Sequence, residues 1–125
     1  IGGMDDYTDC CNLTEDIRES VNVCGKLTLA GTAAVLSRVS LLITGDSGIM
    51  HLAYALGTPT LSLFGPGNEK KWAPPGNSHA VIRKGIDCSP CTKFGYVPRC
   101  KKNRECMRLI EVDEVYNKAV ELMER

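Results

Sequence analysis

Residues 41–66 read LLITGDSGIMHLAYALGTPTLSLFGP, and the fold follows from them. Leu41, Leu42, Ile43 and Thr44 form a short apolar, partly β-branched run suited to a buried strand. Gly45-Asp46-Ser47-Gly48 interrupts it with turn chemistry. Ile49 to Leu56 is apolar almost all round, apart from His51 and Tyr54, which predicts a buried helix. Gly57-Thr58-Pro59 stops that helix, and Thr60 to Phe64 is a second strand. Strand, helix, strand at this spacing is a βαβ unit, which implies parallel strands and a right-handed crossover. The Asp-Ser-Gly turn then lies at the carboxyl end of a strand and the amino end of a helix. Open α/β sheets bind ligands there, and free backbone N–H groups favour anions.

Outward from this unit the pattern alternates. Towards the amino end, a weakly patterned helix is expected within Tyr7 to Ser20. A short strand is expected at Val21–Cys24, followed by a helix from about Thr28 to Arg38 with Thr28 as a cap and Leu29, Ala33 and Leu36 on one face. Towards the carboxyl end, residues 67–77 read as a loop and His79–Ile82 as a strand. Residues 88–106 form an irregular, basic, cysteine-bearing segment. A final amphipathic helix repeats Val112, Val115, Tyr116, Ala119, Val120 and Met123 at helical spacing. The order (β)αβαβαβ, cysteine loop, α predicts one α/β domain: a Rossmann-like parallel sheet with helices on both faces.

The totals bound the function. The 125 residues suffice for one domain with a core, and hydrophobic content is ordinary at 43%. Fifteen basic residues balance fifteen acidic ones. This excludes bulk electrostatic binding to nucleic acid or to an anionic membrane by the whole chain. No apolar run reaches the roughly 20 residues that span a bilayer, and no charged-then-apolar leader is seen. Ile1-Gly2-Gly3 reads as the end of a strand followed by a turn, so a piece of a longer protein is expected.

The Asp-Ser-Gly turn offers specific chemistry. With Ser47 capping the helix, Gly48, Ile49 and Met50 form a first turn whose N–H groups can donate to a diphosphate, helped by the helix dipole. Gly48 lets a ligand approach the backbone closely. His51 follows Ser47 by four residues on the same face and can bond a phosphate or brace the turn. Asp46 repels phosphate but can accept from sugar hydroxyls. A plain N-cap with a structural histidine fits the same residues. A serine nucleophile fits poorly, because Gly45-Asp46-Ser47-Gly48-Ile49 lacks the Gly-x-Ser-x-Gly spacing.

Seven cysteines are many for this length, and an odd number without a leader argues against a secreted disulfide scaffold. Cys88 and Cys91 form C-x2-C, and Cys100 and Cys106 form C-x5-C. Four thiolates from these positions can hold a structural zinc ion, although the second spacing is wider than usual. Disulfides and free thiols remain open alternatives. Cys10, Cys11 and Cys24 are expected as packing residues. The basic residues around the loop read first as a solvated surface, with an anionic acceptor lipid as the alternative.

D-S-G-x-M-H-L-A-x-A-L-G-T-P followed by L-F-G-P resembles glycosyltransferase family 9, the heptosyltransferases of lipopolysaccharide core synthesis. Gly25-Lys26-Leu27-Thr28-Leu29, Ala34-Val35-Leu36-Ser37-Arg38, Trp72-Ala73-Pro74-Pro75-Gly76, Cys88-Ser89-Pro90-Cys91 and Cys106-Met107 resemble further family motifs in the same order. The resemblance covers nearly the whole chain. It departs after Pro66, where Gly67-Asn68-Glu69 stands in place of the family's Thr-(Asp/Asn)-Pro.

The resemblance implies that residues 1–125 are the donor-binding, C-terminal half of a GT-B fold. The implied donor is a nucleotide sugar such as ADP-heptose, and the implied reaction is an inverting transfer of heptose to lipopolysaccharide core. Ser47 and Gly48 would hold the diphosphate, Asp46 the sugar hydroxyls, and His51 the phosphate side. Leu27 would lie by the adenine, and Asp5 or Asp6 by the ribose. The general base and the lipid-linked saccharide acceptor would belong to the other half. No catalytic metal and no nucleic-acid partner are implied. The implied location is the cytoplasm, with peripheral attachment to the inner membrane open to the full-length protein. Two other classes fit the residues less fully: a non-catalytic nucleotide or nucleotide-sugar binding module, and a metal-stabilised interaction module built on the cysteine loop.

Overall fold

The computed structural model describes residues 1–125. The chain divides into two compact units, Ile1–Val35 and Leu36–Arg125.

In the first unit, a 3-10 turn at Met4–Asp6 leads into helix α1, Tyr7–Glu15. The Asp6 carboxylate accepts from the Gly3 N–H at 3.0 Å, and the Gly25 N–H donates to the Gly2 carbonyl at 3.0 Å. The thiols of Cys10 and Cys24 lie side by side, 2.6 Å apart. The strand expected at Val21–Cys24 does not form. Instead the Asn22 side chain accepts from the Cys24 N–H at 3.0 Å. This local bond offers the backbone an alternative to a ladder. Helix α2, Leu29–Leu36, begins where expected, with the Thr28 hydroxyl accepting from the Gly31 N–H at 3.1 Å. Leu29 nevertheless stays exposed.

The second unit holds the sheet. Strands β1 (Leu42–Gly45), β2 (Thr60–Phe64) and β3 (His79–Arg83) run parallel in the order β1-β2-β3. Helix α3, Gly48–Ala55, connects the first two. Leu42 pairs with Thr60, and Thr60 with His79, so alternate residues of all three strands share a face. On one face Leu61 and Ile82 pack against Ala119 and Leu122 of the last helix, α6 (Val112–Met123), with Leu41, Leu63, Ala80, Ile110 and Val115 at the margin. On the other face α3 reaches β3, where Tyr54 meets the His79 ring edge-on at 5.2 Å. Helices therefore cover both faces of an α/β, Rossmann-like parallel sheet.

Two of the three polar side chains buried on the α3 side of the sheet are bonded, whereas the Ser62 hydroxyl has no partner. The Thr58 hydroxyl donates to the Leu36 carbonyl at 2.9 Å. The Thr60 hydroxyl and His79 Nδ1 lie 2.9 Å apart, and burial pushes the imidazole pKa down.

Three expectations change here. The α3 helix is only half buried: Met50 and Ala53 are covered, whereas His51, Tyr54, Ala55 and Leu56 are exposed. It lies on the sheet by one stripe rather than passing through a core. Residues 67–77 contain a four-residue helix, α4 (Glu69–Trp72), because Asn68 caps it by accepting from the Lys70 N–H at 3.0 Å. In α6 the buried stripe is Val115, Ala119 and Leu122, while Val112, Tyr116 and Met123 are exposed. Leu122, not Met123, completes the i, i+4, i+7 face towards the sheet. No helix of the chain is long and apolar enough to cross a membrane.

Candidate functional site

At the carboxyl ends of β1 and β2 lies a cavity of about 1010 Å³. Three pieces of chain build it. The first is Gly45 to Gly48 with His51, at the end of β1 and the start of α3. The second is Gly65 to Gly67, after β2, with Trp72 of α4. The third is the cysteine segment, including Arg99, Cys100 and Arg104. The sheet fixes the first two, since each leaves a strand whose ladder is set.

Ser47 stands at the N-cap with extended backbone (φ −151°, ψ 165°), yet its side chain makes no capping bond. Its hydroxyl pairs with the Thr44 hydroxyl at 3.2 Å instead. The Met50 N–H donates to the Ser47 carbonyl at 3.1 Å. The expected three free donors are thus two: the N–H groups of Gly48 and Ile49, which precede the first turn of the ladder. Both carry the positive end of the helix dipole.

Asp46 is exposed and lines the cavity. Its carboxylate lies against Gly67, where a Cβ would come within 2.0 Å of Oδ2. A side chain at residue 67 would shift the carboxylate from this position. The departure of Gly67 from the family pattern therefore has a local consequence: it makes room for Asp46. His51 lines the same cavity and meets the Trp72 ring edge-on at 6.1 Å. Lys71 lies over the other aspect of that ring, 4.8 Å from its centre.

The cysteine segment is fastened to the β2 end. The N–H groups of Cys91 and Thr92 both donate to the Pro66 carbonyl, at 3.0 and 2.9 Å. The Ser89 hydroxyl donates to the Gly65 carbonyl at 2.6 Å. A helical turn, α5 (Glu105–Arg108), closes the segment with Cys106 buried. The Cys100 thiol is held below the ordinary thiol range by the backbone N–H groups of Arg104 and Lys102, with the Arg104 charge adding to the effect. The Arg104 N–H reaches its sulfur at 3.1 Å. Burial pushes the Cys106 thiol up, and the nearby Cys100, Cys88 and Cys91 add to that. Cys91, Cys100 and Cys106 line the cavity. However, no three His, Cys, Asp or Glu side chains of the chain stand together as a set that could hold a metal ion. Cys88, Cys91, Cys100 and Cys106 approach one another without closing into a ligand set.

Of the residues singled out from the sequence, Asp46, Ser47, Gly48 and His51 share this cavity. Leu27 and Asp5 lie in the other unit, Ile1–Val35. There Leu27 is half-buried and precedes the Thr28 cap, and Asp5 is exposed. Trp72, Arg99 and Arg104 were not expected in the site. The signal for Trp72 was the Asn68-Glu69 start of a helix, which turns residue 72 back towards His51. The arginines carried no positional signal, since no periodicity says where an irregular segment folds.

Comparison with known proteins agrees with this fold. The model of the family described as glycosyltransferase family 9 (heptosyltransferase) matches residues 5–101. Lipopolysaccharide heptosyltransferase 1 of Pseudomonas aeruginosa is 41% identical over 75 residues, which is 60% of this chain and 21% of that protein. Lipooligosaccharide heptosyltransferase 2 of Haemophilus influenzae is 34% identical over 76 residues, covering 60% of this chain and 22% of that protein. The crystal structure of a family 9 glycosyl transferase from Veillonella parvula superposes with a TM-score of 0.78 at 26% identity, over 98% of this chain and 35% of that one. The Escherichia coli ADP-heptose lipopolysaccharide heptosyltransferase II structure gives 0.76 at 23% identity, with the same coverage, and bears on the fold alone. The chain thus spans about a fifth of the length of the curated relatives it matches.

Proposed function

The chain belongs to glycosyltransferase family 9, and on that premise we propose that it is the nucleotide-sugar donor-binding domain of an inverting, GT-B heptosyltransferase acting in the cytoplasm. The donor is an ADP-heptose-like sugar nucleotide, and the acceptor is a lipid-linked saccharide of the lipopolysaccharide core. One observation carries this: the free Gly48 N–H at the start of α3, Asp46 and two arginines, Arg99 and Arg104, meet at a single cavity.

Each group has a part in the transfer. The Gly48 and Ile49 N–H groups donate to the oxygens of the sugar nucleotide's diphosphate, and the helix dipole stabilises the charge that grows on it as the glycosidic bond breaks. Arg99 and Arg104 supply full positive charge on the facing wall. Asp46, kept beside Gly67, accepts from sugar hydroxyls and orients the anomeric carbon. His51 and Trp72 form the adjoining wall. The base that deprotonates the acceptor belongs to the acceptor-binding half of the enzyme.

Calorimetry with ADP and ADP-heptose tests the proposal on the purified protein. Both ligands should bind. Asp46→Ala should weaken ADP-heptose by about ten-fold or more, the cost of a charge-assisted hydrogen bond, and leave ADP little changed. Failure of both ligands to bind, or heptose transfer indifferent to Asp46→Ala, would refute it.

A further inference from the structure

Part of the cysteine segment lies outside the cavity: Lys93, Phe94, Tyr96, Lys101 and Lys102 do not line it. Lys93 and Tyr96 pair in an isolated antiparallel bridge, with N–H···O distances of 3.0 and 2.9 Å in the two directions. Phe94 and Gly95 between them both have positive φ, 49° and 79°. This is the two-residue hairpin turn that favours Asn-Gly. Glycine suits the second position, whereas a bulky aromatic in the first is strained. The ring gains no packing in return, because Phe94 is fully exposed. Tyr96 and Val97 beside it are 69% and 53% exposed. A large apolar tip thus stands in solvent on a hairpin whose base is fastened to Pro66 through Cys91 and Thr92.

The charges around the tip are of one sign. From Cys88 to Arg104 there are five cations, Lys93, Arg99, Lys101, Lys102 and Arg104, and no Asp or Glu. All five are exposed, and none takes part in an ion pair. Elsewhere cations do find carboxylates, as Arg83 finds Glu69 at 2.9 Å. In a chain of zero net charge this is a local concentration.

We infer that residues 93–102 carry a membrane-contact hairpin: Phe94, with Tyr96, enters the headgroup region of an anionic phospholipid bilayer while Lys93, Lys101 and Lys102, which lie outside the cavity lining, bind its phosphates. An apolar tip flanked along the chain by unpaired cations is complementary to such a surface, which offers negative charge and an apolar layer directly beneath it. A single-stranded nucleic acid would also meet cations and rings. It needs successive stacking platforms along a groove, and a single hairpin tip is not one. The inference is independent of donor binding, because the surface is read without nucleotide.

Vesicle flotation of the purified protein tests it. Vesicles of phosphatidylcholine with about 30 mol% phosphatidylglycerol should carry the protein, and phosphatidylcholine alone should not. Raising salt from about 0.1 to 0.5 M should weaken the binding. Phe94→Asp should reduce partitioning by about ten-fold, and Lys101→Gln with Lys102→Gln by about five-fold for each charge removed. Circular dichroism controls for folding, which a fully exposed side chain should leave unchanged. Absence of flotation, binding equal with and without phosphatidylglycerol, or binding indifferent to Phe94→Asp would overturn the inference. Tighter binding to a single-stranded oligonucleotide than to the vesicles would do so as well.

Discussion

Two of the stretches that build the cavity are held in opposite ways. Residues 41–66 are positioned by the sheet: β2 is the central strand, hydrogen-bonded on both sides, and Leu61 and Phe64 are almost completely buried. Residues 88–106 have no strand of their own. They depend on a few polar ties to Gly65 and Pro66 and on one buried side chain, Cys106. The first stretch presents backbone donors and a carboxylate whose positions follow from the fold. The second presents cations and thiols whose positions follow from the first. A site of this kind has a rigid half and a half that is only as fixed as its tethers.

The sharpest way to break this contrast is in the core. Leu61→Ala removes a fully buried side chain from the cluster with Ile82, Ala119 and Leu122, and should cost about 3 kcal/mol in urea unfolding. Val97→Ala in the other stretch, at 53% exposure, should stay within about 0.5 kcal/mol. Equal losses would mean that the cysteine segment carries more of the core than its exposure allows.

A smaller effect is expected at the point where the two strand ends meet. Gly67→Ala puts a Cβ within 2.0 Å of the Asp46 carboxylate. Asp46 must move, and ADP-heptose affinity should fall about ten-fold, while stability changes by no more than about 1–3 kcal/mol. Unchanged affinity would show that Asp46 need not be where it stands.

Thiol chemistry separates the halves more gently. Iodoacetamide should alkylate Cys100 several-fold faster than Cys106, since the first is exposed with a lowered pKa and the second is buried with a raised one. Equal protection of Cys88, Cys91, Cys100 and Cys106, reversed by a chelator, would instead indicate a bound zinc ion.

The smallest effect belongs to the sheet. The His79 pKa is lowered by burial. As pH falls through about 6.5, the unfolded chain takes up a proton that the folded chain resists. Stability should therefore decrease below that pH and level off once the folded-state pKa is passed. His79→Gln should flatten this part of the profile, as urea midpoints against pH would show.

The same contrast governs how far the sequence could be read. Strand β1, helix α3 and strand β2 appear in residues 41–66 because hydrophobic period and turn residues are local signals. Asp46, Ser47, Gly48 and His51 could be grouped for that reason. The strand expected at Val21–Cys24 failed because Asn22 bonds its own backbone, a choice between two local options that apolar pattern does not resolve. The α6 stripe was misplaced by one residue because Val112, Tyr116 and Met123 are spaced as well as the residues that are buried. Arg99 and Arg104 could not be found at all. Their place depends on Pro66 accepting from Cys91 and Thr92, which is a contact between distant parts of the chain.

Whether the rigid and tethered halves form one donor site can be read from a titration of 15N-labelled protein with ADP. The amide resonances of Gly48 and Ile49 should shift together with those of Arg99 to Arg104, along a single saturation curve. Shifts in the α3 amides without any in the cysteine segment would remove Arg99 and Arg104 from the site. Saturable shifts that spare Gly48 and Ile49 would contradict diphosphate binding at the start of α3.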